Sequence, residues 1–145
     1  MTATRPTADL DSPRTILPPR EPRTLPQFLL QRAAEWGDRQ TALREKDFGI
    51  WQSISWRAYL DNVRRLSLGL TSLGLLPGDK VAIIGDNRPE WFYAELATQA
   101  AGAASVGLFQ DAVAHELQFI VDHSDARFVV VEDQEQIDKD RKSVV

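Results

Sequence analysis

Apolar residues recur along the chain with two different spacings, and the change from one to the other predicts where helices give way to strands. In "TLPQFLLQRAAEWGD", Leu25, Phe28, Leu29, Ala33 and Trp36 return at helical spacing. Thr24 stands before them as a capping side chain, Pro26 is tolerated in a first turn, and Gly37 ends the helix. "TALREKDFGIWQSISW" then holds two short extended runs around Lys46-Asp47-Phe48-Gly49, where Asp and Gly suit a hairpin turn. Ser55 offers a hydroxyl as N-cap of a longer helix. Trp56, Tyr59, Leu60, Val63, Leu66, Leu70 and Leu73 fall on one face of it, and Arg57, Asp61, Arg64 and Arg65 on the other. Gly74 stops that helix, and Leu76-Pro77-Gly78-Asp79 supplies a turn.

The pattern then shortens. "KVAIIG" is apolar and β-branched without alternation, which predicts a strand covered on both faces. Pro89 suits a first helical position and pushes Arg88 out of helical geometry, so Arg88 or a neighbour is expected to cap a helix running from Glu90 to about Ala101. Trp91, Phe92, Tyr93 and Leu96 mix there with four alanines and leave little polar face, so this helix is expected to be mostly buried. Ala103 to Leu108 reads as a second strand. Asp111 is expected to cap a helix bearing Val113, Leu117, Ile120 and Val121, and Ala126 to Val131 reads as a third strand. Strands alternating with short helices imply parallel pairing through right-handed crossovers. The expected fold class is α/β: a β-hairpin plus a βαβαβ parallel sheet.

Residues 1–23, with five prolines among Thr, Asp and Arg, are expected to be a disordered tail. The body is expected to run over 24–139. The acidic "EDQEQIDKDRKSVV" opens what reads as one more helix, but its apolar spacing fails after Ile137, and 140–145 are expected to be irregular.

Composition narrows the function classes. With 145 residues, 43% of them hydrophobic, the chain suffices for one compact domain. A net charge of -4 with interspersed signs argues against a nucleic-acid partner. The absence of cysteine removes disulfides, thiolate nucleophiles and cysteine metal sites, and fits a cytoplasmic chain. No apolar run reaches the ~18 residues that a membrane helix needs.

Candidate chemistry is sparse. Gly85-Asp86-Asn87-Arg88-Pro89 has one glycine and a proline without an N–H, so it is neither a dinucleotide fingerprint nor a P-loop. It does follow a strand's carboxyl end, where α/β sheets place ligands, so a ligand contact from Asp86, Asn87 or Arg88 stands beside the preferred reading of capping and packing. His115 and His123 lie about 12 Å apart along a helix, too far for one ion, and read as surface residues. Glu132, Asp133, Glu135, Asp138 and Asp140 match no calcium loop and read as a solvated helix face. Trp36, Trp51, Trp56 and Trp91 read as core packing. Ser53, Ser55, Ser67 and Ser72 lack a nucleophile elbow. A small flavodoxin-like nucleotide-binding domain fits the βαβ pattern but lacks a glycine-rich loop.

Three pieces in order, "ISWRAYLDNVRRLSLGL", "PGDKVAIIGDNRPEW" and "QAAGAASVGLF", resemble the N-terminal part of the adenylate-forming enzymes, and specifically the long-chain fatty acid CoA ligases. The likeness covers about Thr24 to Lys139, and from Asp111 onwards it is similar to the bacterial long-chain branch. The resemblance implies a family reaction in which a fatty acid and ATP, with Mg2+, give an acyl-adenylate and pyrophosphate, and CoA then takes the acyl group. It also implies a cytoplasmic protein, peripheral to the membrane in the full-length family. The family's Ser/Thr/Gly-rich phosphate loop, aromatic-Thr-Glu motif, ribose-binding aspartate and C-terminal lysine match no position here. No residue of this chain is therefore assigned a catalytic, cofactor-binding or metal role, and the chain is expected to bind no cofactor of its own. Asp140-Arg141-Lys142-Ser143 stands where the family continues an apolar helix, so the sequence reads as a fragment, inactive alone and prone to self-association through uncovered apolar faces. The alternative is a stand-alone interaction module that docks through an unfinished sheet.

Overall fold

The computed structural model describes residues 21–133. The expected tail up to residue 20 and the acidic segment from residue 134, with Glu135, Asp138 and Asp140, lie outside the described residues. Nine elements follow in order: α1 (Leu25–Trp36), β1 (Thr41–Asp47), β2 (Ile50–Ser55), α2 (Trp56–Ser72), β3 (Lys80–Ile84), α3 (Pro89–Ala100), β4 (Ala104–Leu108), α4 (Ala114–Ser124) and β5 (Phe128–Val131).

The helix starts follow from local chemistry. Thr24 Oγ1 accepts from the Gln27 amide, and Ser55 Oγ accepts from the Ala58 amide at 3.1 Å while donating to Asp38 at 2.6 Å. β1 and β2 pair antiparallel, from Thr41 opposite Ser55 to Asp47 opposite Ile50. The apolar side of this hairpin, Ala42, Leu43 and Ile54, packs onto the core beneath α2.

β3 is the centre of the parallel sheet, with strand order β4-β3-β5. Its neighbours are in register, Val81 beside Ser105 and Phe128, and Ile84 beside Leu108 and Val131. Side chains alternate across a strand, so β3 serves two cores at once. Val81 and Ile83 join Leu29, Tyr59, Val63, Leu70, Leu75 and the small residues of α3 on one face. Ala82 and Ile84 join Leu108 and Leu117 of α4 on the other. That double burial explains an apolar run without alternation. Ala94 and Ala97 are fully buried, and their small side chains bring α3 close to the sheet.

Several expectations need correction. α1 buries only the stripe Leu29 and Ala33, so Leu25 and Phe28 stay about half exposed. Asp111 does not cap a helix: a turn closed by the Ala112 amide on the Phe109 carbonyl absorbs it, and α4 starts three residues later with Val113 at its N-cap. Within α4 the buried stripe is Leu117 with Val121, and Ile120 faces outward. Leu73 lies past the end of α2 and is exposed. Trp51 is exposed because, among the described residues, β2 pairs only with β1 and nothing covers the ribbon's outer side, whereas Trp36, Trp56 and Trp91 are half-buried.

Candidate functional site

Strand order decides where a ligand would be expected. The chain steps from β3 to β4 on one side and then crosses to β5 on the other, so the carboxyl ends of β3 and β5 form the crevice that α/β sheets use for ligands. A cleft of about 310 Å³ lies there, between Gly85, Arg88 and Trp91 on one wall and Val130 and Glu132 on the other.

The loop from Gly85 to Pro89 is tied on three sides. Glu132, at the end of β5, folds back over Gly85. Its Oε2 accepts from the Asp86 amide at 2.7 Å and its Oε1 accepts from Arg88 Nη1 at 3.2 Å. Arg88 Nε donates to Glu45 of β1 at 2.9 Å. Gln110, after β4, donates to Asp86 Oδ1. The hydrogen bonds that Arg88 donates to Glu45 and then to Glu132 push its guanidinium further above its ordinary range, so it is a fixed cation. Arg88 occupies the N-cap position of α3 but makes no side-chain capping bond; its side chain bridges two distant carboxylates instead. The preferred sequence reading of this loop is therefore met in its packing and in its cap: Pro89 holds Arg88 in extended geometry at the N-cap, though the cap is made without a side-chain bond.

The glycine in this loop answers to sterics. A Cβ on Gly85 would lie 2.9 Å from Glu132 Cβ. In a glycine-rich phosphate loop that space admits pyrophosphate. Here a carboxylate of the chain itself occupies it and takes the Asp86 amide. The donors that would meet an anion at this crevice, the Asp86 amide and the Arg88 guanidinium, are both engaged internally. The carboxylates nearby, Glu45 and Glu132, are both paired with Arg88, and among the described residues no three His, Asp or Glu side chains converge to hold a metal.

The other candidates stay apart. His115 and His123 are exposed on α4, and the His123 ring stacks on Phe119 with centroids 5.5 Å apart. Ser55 is a helix cap and Ser72 Oγ donates to the Gly69 carbonyl. Glu132 lies not on a solvated helix face but at the crevice, because β5 ends there and its amide continues the ladder to the Ile84 carbonyl. Glu45 and Gln110 escaped sequence reasoning, since partners 43 and 24 residues distant leave no periodic signal. A glycine directly after a buried strand, with no turn demanding positive φ, was the one available hint that something presses on Gly85.

Comparison with known proteins places this geometry. A family profile described as AMP-binding enzyme matches residues 29–145. The long-chain-fatty-acid–CoA ligase ACSBG2 of Xenopus laevis is 31% identical over 129 residues, covering 89% of this chain and 17% of that protein. Human ACSBG1, also a long-chain-fatty-acid–CoA ligase, is 31% identical over 83% of this chain and 17% of its own length. The chain thus spans about a sixth of the length of these ligases. Rv1549 of Mycobacterium tuberculosis is 33% identical, with 79% of this chain and 64% of that protein covered. Among solved structures, the inhibitor-bound N-terminal domain of FACL13 from Mycobacterium tuberculosis superposes with a TM-score of 0.69 at 24% identity, over 80% of this chain and 29% of that one. The O-succinylbenzoate coenzyme A synthetase of Bacillus subtilis in complex with AMP gives 0.67 at 25% identity, over 77% and 29%. With a family profile matched across most of its length and its fold shared with N-terminal subdomains of adenylate-forming enzymes, the chain belongs to the AMP-binding enzyme family.

Proposed function

We propose that the chain is the N-terminal scaffold of an ATP-dependent long-chain fatty acyl-CoA synthetase and is inactive alone. The observation that carries the substrate class is the 31% identity to long-chain ligases over 89% of the chain. In such an enzyme a carboxylate oxygen attacks the α-phosphorus of ATP, pyrophosphate leaves, and the CoA thiol then displaces AMP from the acyl carbon. The contribution of this segment is a rigid sheet whose crevice is closed by its own Glu132–Arg88–Glu45 bridge. Adenylation needs donors and a cation poised around the triphosphate. The described residues bring no such set together, which supports inactivity of the isolated chain.

The test is direct. The full chain is incubated with palmitate, ATP, Mg2+ and CoA, and palmitoyl-CoA and pyrophosphate are measured by mass spectrometry and a coupled assay. Neither is expected above a buffer control; product rising in proportion to added protein overturns the inactivity.

One observation favours a second reading, an interaction module that docks through the sheet. Among the described residues β4 and β5 each pair with β3 alone, so both outer edges are unpaired. Light scattering that shows a monodisperse monomer, together with no binding of a hydrophobic dye, contradicts it.

A further inference from the structure

Two helix faces each leave a large apolar side chain in solvent, and each surrounds it with charge. On α2, Leu68 is 61% exposed, with Arg64 and Arg65 one turn before it and Arg57 further back on the same face. On α4, Phe119 is 66% exposed, with Glu116 one turn before it and Asp122 one turn after. The dominant sign is positive on α2 and negative on α4. Asp61, half-buried, is the one acid on the α2 face. His115 and His123 complete the α4 face, the His123 ring stacked on Phe119.

These charges are not neutralised within the chain. Arg57, Arg64 and Arg65 make no ion pair among the described residues, and neither do Glu116 and Asp122. Asp122 accepts from the Gln118 side-chain amide at 2.7 Å, which leaves its charge in place. The two helices bury their other sides in different cores. α2 sets Tyr59, Val63 and Leu70 with Val81 and Ile83, and α4 sets Leu117 with Ala82 and Ile84. Alternate side chains of β3 point to opposite faces of the sheet, so the exposed faces of α2 and α4 look out from opposite sides of the molecule.

We propose that the α2 face of one copy of this chain docks on the α4 face of a second copy, with Leu68 against Phe119 and Arg64 and Arg65 against Glu116 and Asp122. Charge complementarity selects the partner: a basic face with an apolar centre needs an acidic face of the same pattern, and the chain carries one. Like charge opposes α2 on α2 and α4 on α4, so the contact is not a two-fold one. Unlike faces on opposite sides join copies head to tail, and the assembly grows beyond a dimer. This inference depends neither on the ligase reading nor on the sheet edges.

Sedimentation velocity of the full chain at low ionic strength is expected to show a mean size that rises with protein concentration past that of a dimer. Sodium chloride at about 0.5 M is expected to weaken this association about tenfold. Arg64→Glu with Arg65→Glu makes both faces acidic, and Glu116→Lys with Asp122→Lys makes both basic. Each variant alone is expected to stay monomeric with the melting temperature of the parent, and an equimolar mixture of the two is expected to associate again in alternation. Where a swapped variant melts low, Arg64→Gln with Arg65→Gln adds no like charge and is expected to weaken association about tenfold. A monomer at every concentration, association that the substitutions leave unchanged, or folded swapped variants that stay apart when mixed overturns the proposal.

Discussion

Replacing Gly85 by alanine isolates the contact that closes the crevice. Gly85 does not have a positive φ, so the substitution adds no backbone strain and its effect is steric. The new methyl would stand 2.9 Å from Glu132 Cβ and 3.0 Å from Glu132 Oε2. Carbon atoms rest comfortably at ~3.5–4.0 Å, so Glu132 must retreat by nearly 1 Å. Overpacking of that kind costs about 1–3 kcal/mol. Losing the carboxylate from the Asp86 amide adds about 1 kcal/mol. The Arg88 pair faces solvent and is left out of the sum. The expected loss is about 2–4 kcal/mol, read from urea unfolding followed by tryptophan fluorescence. Glu132→Gly removes the obstructing Cβ, so in that background Gly85→Ala is expected to cost under about 1 kcal/mol. An equal cost in both backgrounds, or a single mutant within about 0.5 kcal/mol of the parent, refutes the contact as the reason for the glycine.

Three further outcomes are expected. Thr98 of α3 is fully buried and its Oγ1 has no partner, so Thr98→Val is expected to stabilise by about 1 kcal/mol, seen as a melting rise of about 3–5 °C in calorimetry; a fall would reveal a partner for the hydroxyl. Ser55→Ala removes the cap of α2 and the bond to Asp38, and is expected to cost about 1–2 kcal/mol in denaturant unfolding; no change would mean that the cap is replaced by solvent. Burial, then the nearby Glu95 and Tyr93, push the Tyr59 hydroxyl up to about 12. The fold thus disfavours the phenolate: stability is intact below pH ~10, the ordinary tyrosine value, and is lost as pH rises toward 12. Tyr59→Phe is expected to flatten that alkaline limb in melting curves; an unaltered limb contradicts the assignment.

The elements that came through from sequence are those whose signal is local. Ser55 and Thr24 announced helix starts, and the apolar run Val81–Ile84 announced a strand covered on both faces because neither side of that run sees water. The misplacements share a cause. Asp111 is a good cap by type, but a turn formed by Phe109 and Ala112 claimed it first. Trp51 is apolar enough for a core, but the ribbon has only one covered side, and nothing in its own sequence says which. The crevice was legible only as a place. Arg88 was noticed next to Pro89, but its partners Glu45 and Glu132 are brought in by the hairpin and by β5 from opposite ends of the chain. Such contacts depend on the completed sheet order β4-β3-β5, which periodicity cannot specify.

Because the chain covers about a sixth of the long-chain ligases it matches, the most direct test of the proposal that it serves as an N-terminal scaffold of such an enzyme is a chimera. Residues 24–133 replace the matching segment of a long-chain fatty acid CoA ligase, and palmitoyl-CoA formation is measured on folded, purified protein. The account predicts ATP-dependent thioester formation at a rate that the parent ligase's own segment exceeds by no more than about a hundredfold, the scale at which small misplacements of a catalytic site are felt. A folded, monodisperse chimera with no ATP-dependent thioester formation would contradict it.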